Sequence, residues 1–425
     1  MKILFTAIGT RGDMEPFLAL AEIFKNKGHE VTCLFPEQFR HLAEASGFGF
    51  ASLGTGFIEL INSPDGRIAM GGGKFGFRKL KAYLNLITRS QAANREMTVL
   101  QEAFVEAYNP DRIVHHAKTI YPVLWSMEHP GKTVTISPVP YMHYVKGHPH
   151  IAFHKDYGAF INKFTFRLTK FGLVKTIRHA QKWLKNENSR ASSKAIRKAL
   201  TNNKVIYSIS PSLFPRPDYW PENLKVMGFQ ERNKILDWQP SSELQSFLKN
   251  HPKFMLVTFG SMINDRPEQN SSTILDTLLK LGIPAIINTS EGGLVKPAGF
   301  THPQFHFVNS IPYDWIFPKT YAVIHHGGSG TTHMALKFGC ANLIIPHIVD
   351  QYVWNITIHE KGAGPLGEDI GRITHKSLLP KIQDLWQNLT YKTVAKSIGK
   401  QIRSEDYSET IYQEIIDQQS ASDNS

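Results

Sequence analysis

Apolar and polar positions follow one another along the chain in blocks that are typical of alternating strands and helices. Ile3 to Ile8 form a short apolar run, and the polar stretch Thr10 to Pro16 follows it as a loop. From Phe17 to Gly28 the apolar residues recur at helical spacing, and a second apolar run covers His29 to Phe35. This order predicts a strand, a loop, a helix and a second strand, which together form the βαβ unit of a parallel sheet.

The second half of the chain repeats this pattern. Helical or polar connections separate five apolar runs: Phe254 to Ser261, Ile283 to Ser290, Phe305 to Ile311, Tyr321 to His326 and Asn342 to His347. We therefore predict two doubly wound α/β domains. The predicted boundaries are 1–229 for the N-terminal domain, 230–245 for a polar linker, 246–404 for the C-terminal domain, and 405–425 for a C-terminal helix that returns to the N-terminal domain and ends in a frayed tail beyond Gln418.

Composition narrows the class of protein. The chain has 425 residues, 41% of them hydrophobic and 20% charged, which is typical of a globular protein with two domains. No stretch approaches the roughly 20 apolar residues of a membrane-spanning helix, and the apolar start is too short for a secretory signal. Cys33 and Cys340 suggest neither a disulfide framework nor a zinc site. We therefore expect a cytoplasmic protein.

The net charge of +12 points to an anionic partner. Residues 160–185 contain seven Lys or Arg and no acid, and Phe160, Phe164, Leu168 and Phe171 recur there at helical spacing. The segment is predicted to be a basic amphipathic helix. It either packs on its own domain with a solvated basic face or contacts an anionic membrane surface as a peripheral site. Nucleic-acid binding is not expected, because no recognition motif accompanies the charge.

The stretch from Val323 to Asn355 contains the densest candidate chemistry. Glycines and hydroxyl residues follow the apolar run that ends at His326, and a helical pattern then continues to Gly339. A helix N-terminus with free N–H groups attracts anions, phosphate above all. The alternative is an ordinary strand-to-helix turn capped by Thr331 or Thr332.

Asp350 and Gln351 follow the next predicted strand and therefore share the carboxyl edge of the sheet with the glycine loop. A carboxylate does not suit a diphosphate, but Asp and Gln together suit the hydroxyls of a sugar attached to one. The combination suggests a nucleotide-sugar site.

These residues resemble a known family. Val323 to Asn355 is similar to the donor-binding signature of the GT-B glycosyltransferases, above all to family 1-type sterol glucosyltransferases and antibiotic or macrolide glycosyltransferases. The stretch from Gly9 to Thr32 resembles the first βα loop of the same group. The resemblance implies a GT-B fold, in which two doubly wound Rossmann-like domains face each other across a cleft.

The plant members of the wider superfamily carry a Trp that stacks on the base and a Glu that holds the ribose. The matching positions here are Val308 and Met334. Base and ribose recognition is therefore expected to differ from that of the plant members, and the backbone around Ile311 is a candidate for this contact. UDP-glucose is the first candidate donor and a TDP-sugar the second.

The resemblance also implies an inverting transfer without a metal. Asp13 would be the catalytic base, or it would only cap the helix that contains Pro16. His143, His148 and His150 are alternative bases. On the leaving-group side the resemblance implies His326 as a catalytic residue, and it implies these donor-binding residues: Gly260, Ser261, Ile311, His326, Gly328, Ser329, Gly330, Thr331, Asp350 and Gln351. No cofactor is expected, and the metal-binding Asp-x-Asp pair of the other major glycosyltransferase architecture does not occur.

The acceptor is expected in the N-terminal half, where aromatic residues suit a hydrophobic small molecule. Trp125, Tyr141 and His143 are the candidates. Two other functions remain open: a nucleotide-sugar epimerase or hydrolase on the same fold, and a non-catalytic nucleotide-sugar-binding partner protein. The intact set of Asp13, His326, Asp350 and Gln351 argues against the second.

Overall fold

The computed structural model of the protein describes residues 1–70, 76–153, 155–185, 190–232, 238–290 and 292–417. The predicted tail beyond Gln418 and part of the predicted linker, 233–237, lie outside the described residues. The chain forms two parallel sheets, which confirms the predicted pair of doubly wound α/β domains.

The first sheet has seven parallel strands in the order β3-β2-β1-β4-β5-β6-β7. They are β1 (Lys2–Thr6), β2 (Glu30–Phe35), β3 (Gly49–Ser52), β4 (Arg112–His116), β5 (Thr133–Ser137), β6 (Lys204–Tyr207) and β7 (Leu224–Val226). The central strands are buried almost throughout, as expected for strands covered by helices on both faces.

The second sheet has five parallel strands in the order β10-β9-β8-β11-β12. They are β8 (Met255–Thr258), β9 (Ala285–Asn288), β10 (Phe305–Val308), β11 (Ala322–His325) and β12 (Ala341–Ile344). Each begins within two residues of the matching apolar run in the sequence and ends before that run does. The polar residues that close each run therefore lie in the loops at the carboxyl edge.

The described residues form sixteen helices, numbered in chain order. They are α1 (Arg11–Asn26), α2 (Arg40–Glu44), α3 (Gly56–Asn62), α4 (Pro64–Met70), α5 (Phe77–Tyr108), α6 (Tyr121–Glu128), α7 (Ala159–Ala180), α8 (Ser193–Asn202), α9 (Ser242–Asn250), α10 (Pro267–Lys280), α11 (Tyr313–Ile316), α12 (Ser329–Lys337), α13 (Val349–Glu360), α14 (His375–Gln387), α15 (Leu389–Ser404) and α16 (Ser408–Ile416). In the part of the chain that the structure covers, none of these helices is both long and apolar enough to cross a bilayer.

The chain divides into two compact units, one around each sheet. The first unit contains Met1–Ser63, Leu84–Arg232 and Asp406–Ser425, and the second contains Pro64–Tyr83 and Asn233–Glu405. The segment 64–83, assigned to the first domain from sequence, thus groups with the second unit. Spatial contact defines a unit, so a segment can join a unit that is remote along the chain.

Helix α1 and the C-terminal helix α16 belong to the same hydrophobic core in the first unit. Phe17 and Phe24 of α1 are fully buried in that core together with Ile411 and Ile415 of α16. In the second unit, apolar residues of α10 and α14 cover the sheet in the same way. Burial of this kind stabilises each unit by roughly 1.5–3 kcal/mol per large side chain.

One local prediction was wrong. Thr10 to Pro16 is not a loop, because helix α1 already begins at Arg11 and includes Pro16. The Asp13 carboxylate accepts the Thr10 backbone N–H at 2.7 Å and so satisfies a donor that would otherwise be free at the helix start. Local capping thus outweighs the polar, loop-like composition of this stretch.

Candidate active site

Each sheet has one point where the strand order reverses, between β1 and β4 in the first and between β8 and β11 in the second. Ligands of doubly wound sheets bind beyond the carboxyl ends of the strands at such switch points. The loop after β11 holds His326 and the glycines, and the turn after β1 leads to Asp13. Most of the predicted site residues therefore lie at one of these two points.

His326 and two glycines are packed together at the second switch point. A Cβ atom added to Gly328 would lie 2.4 Å from Nε2 of His326, and one added to Gly260 would lie 3.0 Å from its Cε1. The imidazole therefore fills the space beside both loops. Only 7% of His326 is exposed, and its Nδ1 atom is buried without a hydrogen-bond partner among the described residues.

His326 is an uncharged group in this environment. Burial, with a contribution from the neighbouring rings of His325 and His347, holds the pKa of His326 well below its usual value. A neutral imidazole can donate one N–H to an anion without bringing a positive charge of its own. A buried polar atom without a partner is uncommon in folded proteins and marks His326 for a functional explanation. The one interaction among the described residues that opposes the lowered pKa of His326 is with the backbone of Thr258.

The next residue, Gly327, is held by a histidine that the sequence did not identify as a site residue. The Gly327 N–H donates to Nδ1 of His325 at 3.1 Å, and Nε2 of His325 contacts Oδ1 of Asn342 at 2.9 Å. These two bonds assign the Nε2–H tautomer to His325. Gly327 has φ of +91°, and a Cβ there would lie 2.6 Å from Ile344, so the turn requires glycine.

Helix α12 begins immediately after this turn with Gly328 as its N-cap. Ser329, Gly330 and Thr331 thus form its first turn, where backbone N–H groups have no partner within the helix. The hydroxyl of Thr332 donates back to the Gly328 carbonyl at 3.0 Å, so Thr332 is not a cap that accepts from the helix N–H groups. Helix start, glycine turn and His326 are therefore neighbours in the fold.

Gln351 has a structural role that the sequence did not predict. Its Oε1 accepts the backbone N–H groups of His347 at 2.8 Å and Ile348 at 3.2 Å, and the residue is 3% exposed. The amide oxygen therefore holds the start of helix α13, where Asp350 lies partly buried in the first turn. A sugar contact by Gln351 would have to use its NH₂ group.

The remaining predicted donor residues are spread along the carboxyl edge of the sheet. Gly260 and partly buried Ser261 follow β8, next to β11. Ile311 is buried after β10, which β9 separates from β8. Two polar side chains at the ends of β8 and β9, Thr258 and Asn288, were not among the predicted site residues. Nδ2 of Asn288 donates to Oγ1 of Thr258 at 3.2 Å, while the buried Oδ1 of Asn288 has no partner among the described residues.

At the first switch point, Asp13 is both a helix cap and a member of an ion-pair cluster. Its Oδ2 accepts the N–H of Thr10 at 2.7 Å and the hydroxyl of Thr10 at 3.2 Å. Its Oδ1 lies 2.9 Å from Nζ of Lys118 and 3.7 Å from Nε2 of His116. The predicted cap is thus present, and 17% of the Asp13 side chain remains exposed.

The electrostatic balance in this cluster leaves Asp13 ionised. Burial opposes its charge, but Lys118 and His116 outweigh burial and hold the pKa of Asp13 below its usual value. Burial, helped by Lys118, lowers the pKa of His116 to about 3 in spite of the adjacent carboxylate. At neutral pH the group is therefore a carboxylate, a neutral imidazole and an ammonium.

The three predicted acceptor residues have different partners. Trp125 is 9% exposed in the core and stacks on His129 at a ring distance of 3.9 Å. Tyr141 stacks on His148, and Nδ1 of His143 lies 2.7 Å from the hydroxyl of buried Tyr207. Trp125 is thus a core residue, whereas Tyr141 and His143 belong to one aromatic cluster.

Sequence reasoning missed His116 and Lys118 because strand β4 was not recognised. The signal was available: the apolar residues Ile113 and Val114 lead directly into His115, His116, Ala117 and Lys118. What could not be read locally is that β4 pairs with β1, with Thr6 opposite His115. That pairing brings the turn after β4 to Asp13.

Two family models match different parts of the chain. One is described as the glycosyltransferase family 28 N-terminal domain and matches residues 3–107. The other is described as the erythromycin biosynthesis protein CIII-like C-terminal domain and matches residues 274–421. The two matches fall in the halves of the chain that carry Asp13 and His326.

Curated relatives match nearly the whole chain. The sterol 3-beta-glucosyltransferase UGT80B1 of Arabidopsis thaliana is 28% identical over 416 residues, which covers 96% of this chain and 66% of the relative. The sterol 3-beta-glucosyltransferase of Pichia angusta is 27% identical, over 96% of this chain and 33% of the relative. The chain therefore spans less than two thirds of the first relative and about a third of the second.

Solved structures share the fold. The glycotransferase of kitacinnamycin has a TM-score of 0.68 at 15% identity and covers 97% of this chain and 99% of its own. The spinosyn rhamnosyltransferase SpnG complexed with thymidine diphosphate has a TM-score of 0.62 at 14% identity, with coverages of 98% and 100%. At these identities the likeness shows the fold.

Proposed function

We propose that the chain is an inverting, metal-independent hexosyltransferase of the GT-B, family 1 type, a classification supported by the two family models and the curated relatives. It moves a hexose, with glucose as the first candidate, from a UDP- or TDP-sugar to a hydroxyl of a hydrophobic small molecule. The observation that carries the proposal is buried His326, whose Nδ1 lacks a partner among the described residues, beside the glycine turn and the start of helix α12.

The donor side of the proposal uses neutral groups to receive a diphosphate. The α12 N-terminus supplies free N–H groups with a partial positive charge, and His326 supplies a ring N–H. Such preorganised donors stabilise charge that develops on a leaving group. Asp350 and the NH₂ group of Gln351 are proposed for the sugar hydroxyls. The solved relative with bound thymidine diphosphate supports a nucleoside diphosphate as ligand.

On the acceptor side, Asp13 is proposed as the base. The acceptor oxygen attacks the anomeric carbon while its proton passes to the Asp13 carboxylate. The bond between that carbon and the diphosphate oxygen breaks, and its electron pair leaves with the diphosphate. One displacement inverts the anomeric configuration. Pairing with Lys118 keeps Asp13 ionised and therefore able to accept the proton.

The sterol glucosyltransferases among the relatives support a sterol-like acceptor and glucose as the sugar. Tyr141 and His143 are proposed as acceptor contacts, because both are only partly buried in an aromatic cluster of the first unit. Trp125 stays a prediction, and it packs in the core against His129. A cytoplasmic location completes this proposal, supported by two buried free thiols, Cys33 and Cys340.

The proposal is tested by incubating the protein with UDP-glucose or TDP-glucose and a panel of sterols, phenols and macrolides. We expect a glycoside of inverted configuration, formed at the same rate with and without EDTA. Release of nucleotide from the donor alone, without any gain on adding acceptors, would favour a hydrolase or epimerase. Donor binding without turnover of any kind would favour the non-catalytic partner protein.

A further inference from the structure

Helix α7 carries a row of large apolar side chains that the described residues leave exposed. Phe160, Phe164, Leu168 and Phe171 are exposed to 87%, 53%, 46% and 55%. They follow one another at spacings of four, four and three residues, which places them on one face of the helix. We call these four residues the α7 stripe. Exposed apolar rows of this kind usually mark a contact surface.

The other face of α7 holds the helix on the first unit. Val174 and Ile177 are buried in one cluster with Ile196 of helix α8. Near the start of α7, the side-chain amide of Asn162 donates to the Gly147 carbonyl at 3.1 Å. The helix is therefore seated without the α7 stripe. Phe160 contributes little buried surface, whereas about half of each of the other three residues is covered, so thermal unfolding of every stripe variant is measured beside its vesicle binding.

Basic residues accompany the stripe. Residues 157–185 contain seven Lys or Arg and no acid. Four exposed cations belong to α7, namely Lys163, Arg167, Lys175 and Arg178. The ammonium of Lys175 lies 5.7 Å from the ring centre of Phe171. Helix α8 adds exposed Lys194, Arg197 and Lys198. The apolar row is thus surrounded by positive charge.

The combination of exposed apolar and basic side chains discriminates between three possible binding partners of this surface. A second copy of the chain would bring the same cations together, and like charges oppose such contacts. An uncharged hydrophobic acceptor would use the phenylalanines but not the cations. An anionic membrane uses both, because aromatic side chains enter the boundary between headgroups and acyl chains while Lys and Arg meet lipid phosphates.

We propose that the α7 stripe and its surrounding cations dock the protein onto an anionic membrane surface, with the axis of α7 lying along that surface. The inference does not depend on the proposed glycosyl transfer. It defines the partner as a bilayer rich in acidic lipids such as phosphatidylserine.

The first test measures cosedimentation of the full chain with vesicles of phosphatidylcholine alone or mixed with phosphatidylserine. We expect binding to the mixed vesicles at low salt and weaker binding at high salt. The variant Phe160→Ser/Phe164→Ser/Phe171→Ser should lose binding at both salt concentrations. The variant Lys163→Gln/Arg167→Gln/Lys175→Gln should bind about a hundredfold more weakly, since each cation near an acidic surface contributes about fivefold.

Matched controls come from the second unit. Leu389→Ser removes an apolar side chain that is 69% exposed, and Lys249→Gln/Lys376→Gln/Lys400→Gln removes three exposed cations. Both controls should bind vesicles like the unaltered chain. Equal losses in test and control variants would overturn the assignment to α7, because a general charge or solubility effect would then explain the binding.

A second test reports the position of the helix. Phe164→Cys can be labelled with an environment-sensitive dye, since both native thiols are buried. Its emission should shift to the blue on mixed vesicles, whereas the same dye on Leu389→Cys should not respond. No shift, or self-association of the free protein abolished by the phenylalanine variant, would assign the stripe to another occupant. A chain that transfers sugar in solution yet ignores vesicles would overturn this inference alone, and one that binds vesicles without transfer would overturn the proposed function alone.

Discussion

The candidate reactive side chain at the first switch point, Asp13, already has hydrogen-bond and ion-pair partners. The candidate at the second, His326, has a ring nitrogen without a hydrogen-bond partner in the part of the chain that the structure describes. The Asp13 carboxylate is bound by Thr10 and Lys118, whereas Nδ1 of His326 is buried without a hydrogen bond among the described residues. The first point carries charges of both signs, and the second presents a neutral ring and helix N–H groups. The same topological position thus holds two different kinds of chemistry.

In the proposed function, this difference separates two tasks. A proton acceptor must be ionised before it acts, and the Lys118 ammonium maintains that state. A site for a departing diphosphate must instead accept negative charge without repelling it, and unpaired neutral donors do so at little reorganisation cost. The four predictions that follow test whether the two points really divide the reaction in this way.

The largest effect is expected at Asp13. Asparagine at this position keeps an oxygen for the Thr10 N–H but cannot accept a proton, so Asp13→Asn should lower turnover by roughly 10²–10⁴-fold. Asp13→Ala should be equally slow and also lose about 1 kcal/mol of stability with the cap. Turnover and thermal unfolding are measured for both. Near-normal turnover of Asp13→Asn would leave Asp13 with a capping role only.

Gly328→Ala should weaken donor use about tenfold or more. The backbone at Gly328 has φ of −63°, which suits alanine, so the effect comes from the new Cβ at 2.4 Å from Nε2 of His326. The KM for the donor should rise while the KM for the acceptor stays the same. The control is Gly172→Ala on α7, where an added Cβ meets nothing within 4 Å. If the KM for the acceptor changed instead, the assignment of this loop to donor binding would be wrong.

Lys118→Met should move the acid limb of the rate profile to higher pH. Lys118 lowers the pKa of Asp13, so its removal lets that pKa rise, and Asp13 becomes protonated at higher pH than before. The kcat/KM should therefore fall earlier on acidification and change little at alkaline pH. Lys198→Met, an exposed lysine on α8, is the control. An unmoved acid limb would assign it to another group.

The smallest effect is expected at Gln351, and it is mainly structural. Gln351→Ala leaves the N–H groups of His347 and Ile348 without their acceptor and should cost about 1–2 kcal/mol of unfolding free energy. Gln351→Glu keeps an acceptor oxygen and should restore most of that stability. Comparing the KM for the donor between Gln351→Glu and the unaltered chain reports the contribution of the NH₂ group, since both keep an acceptor oxygen. Equal donor KM in both variants and the unaltered chain would exclude Gln351 from sugar binding.

Much of the fold could be predicted because buried parallel strands are short continuous apolar runs. All five runs of the second half became strands of one sheet, and the helical period from Phe17 belongs to α1. The start of α1 could not be predicted from composition. Arg11 to Glu15 is polar like a loop, and only the bond between the Asp13 carboxylate and Thr10 shows that the helix has already begun.

Three features follow directly from the order of residues: the alternation of strands and helices, the glycine turn before α12 and the basic amphipathic character of α7. Each depends on neighbours a few residues apart. The side chains that surround Asp13 and His326 depend instead on how the strands pair. Lys118 reaches Asp13 because β4 pairs with β1, and Gly260 reaches His326 because β8 pairs with β11. Strand order brings together residues that are remote in the chain, and the local spacing of apolar residues carries no information about that order.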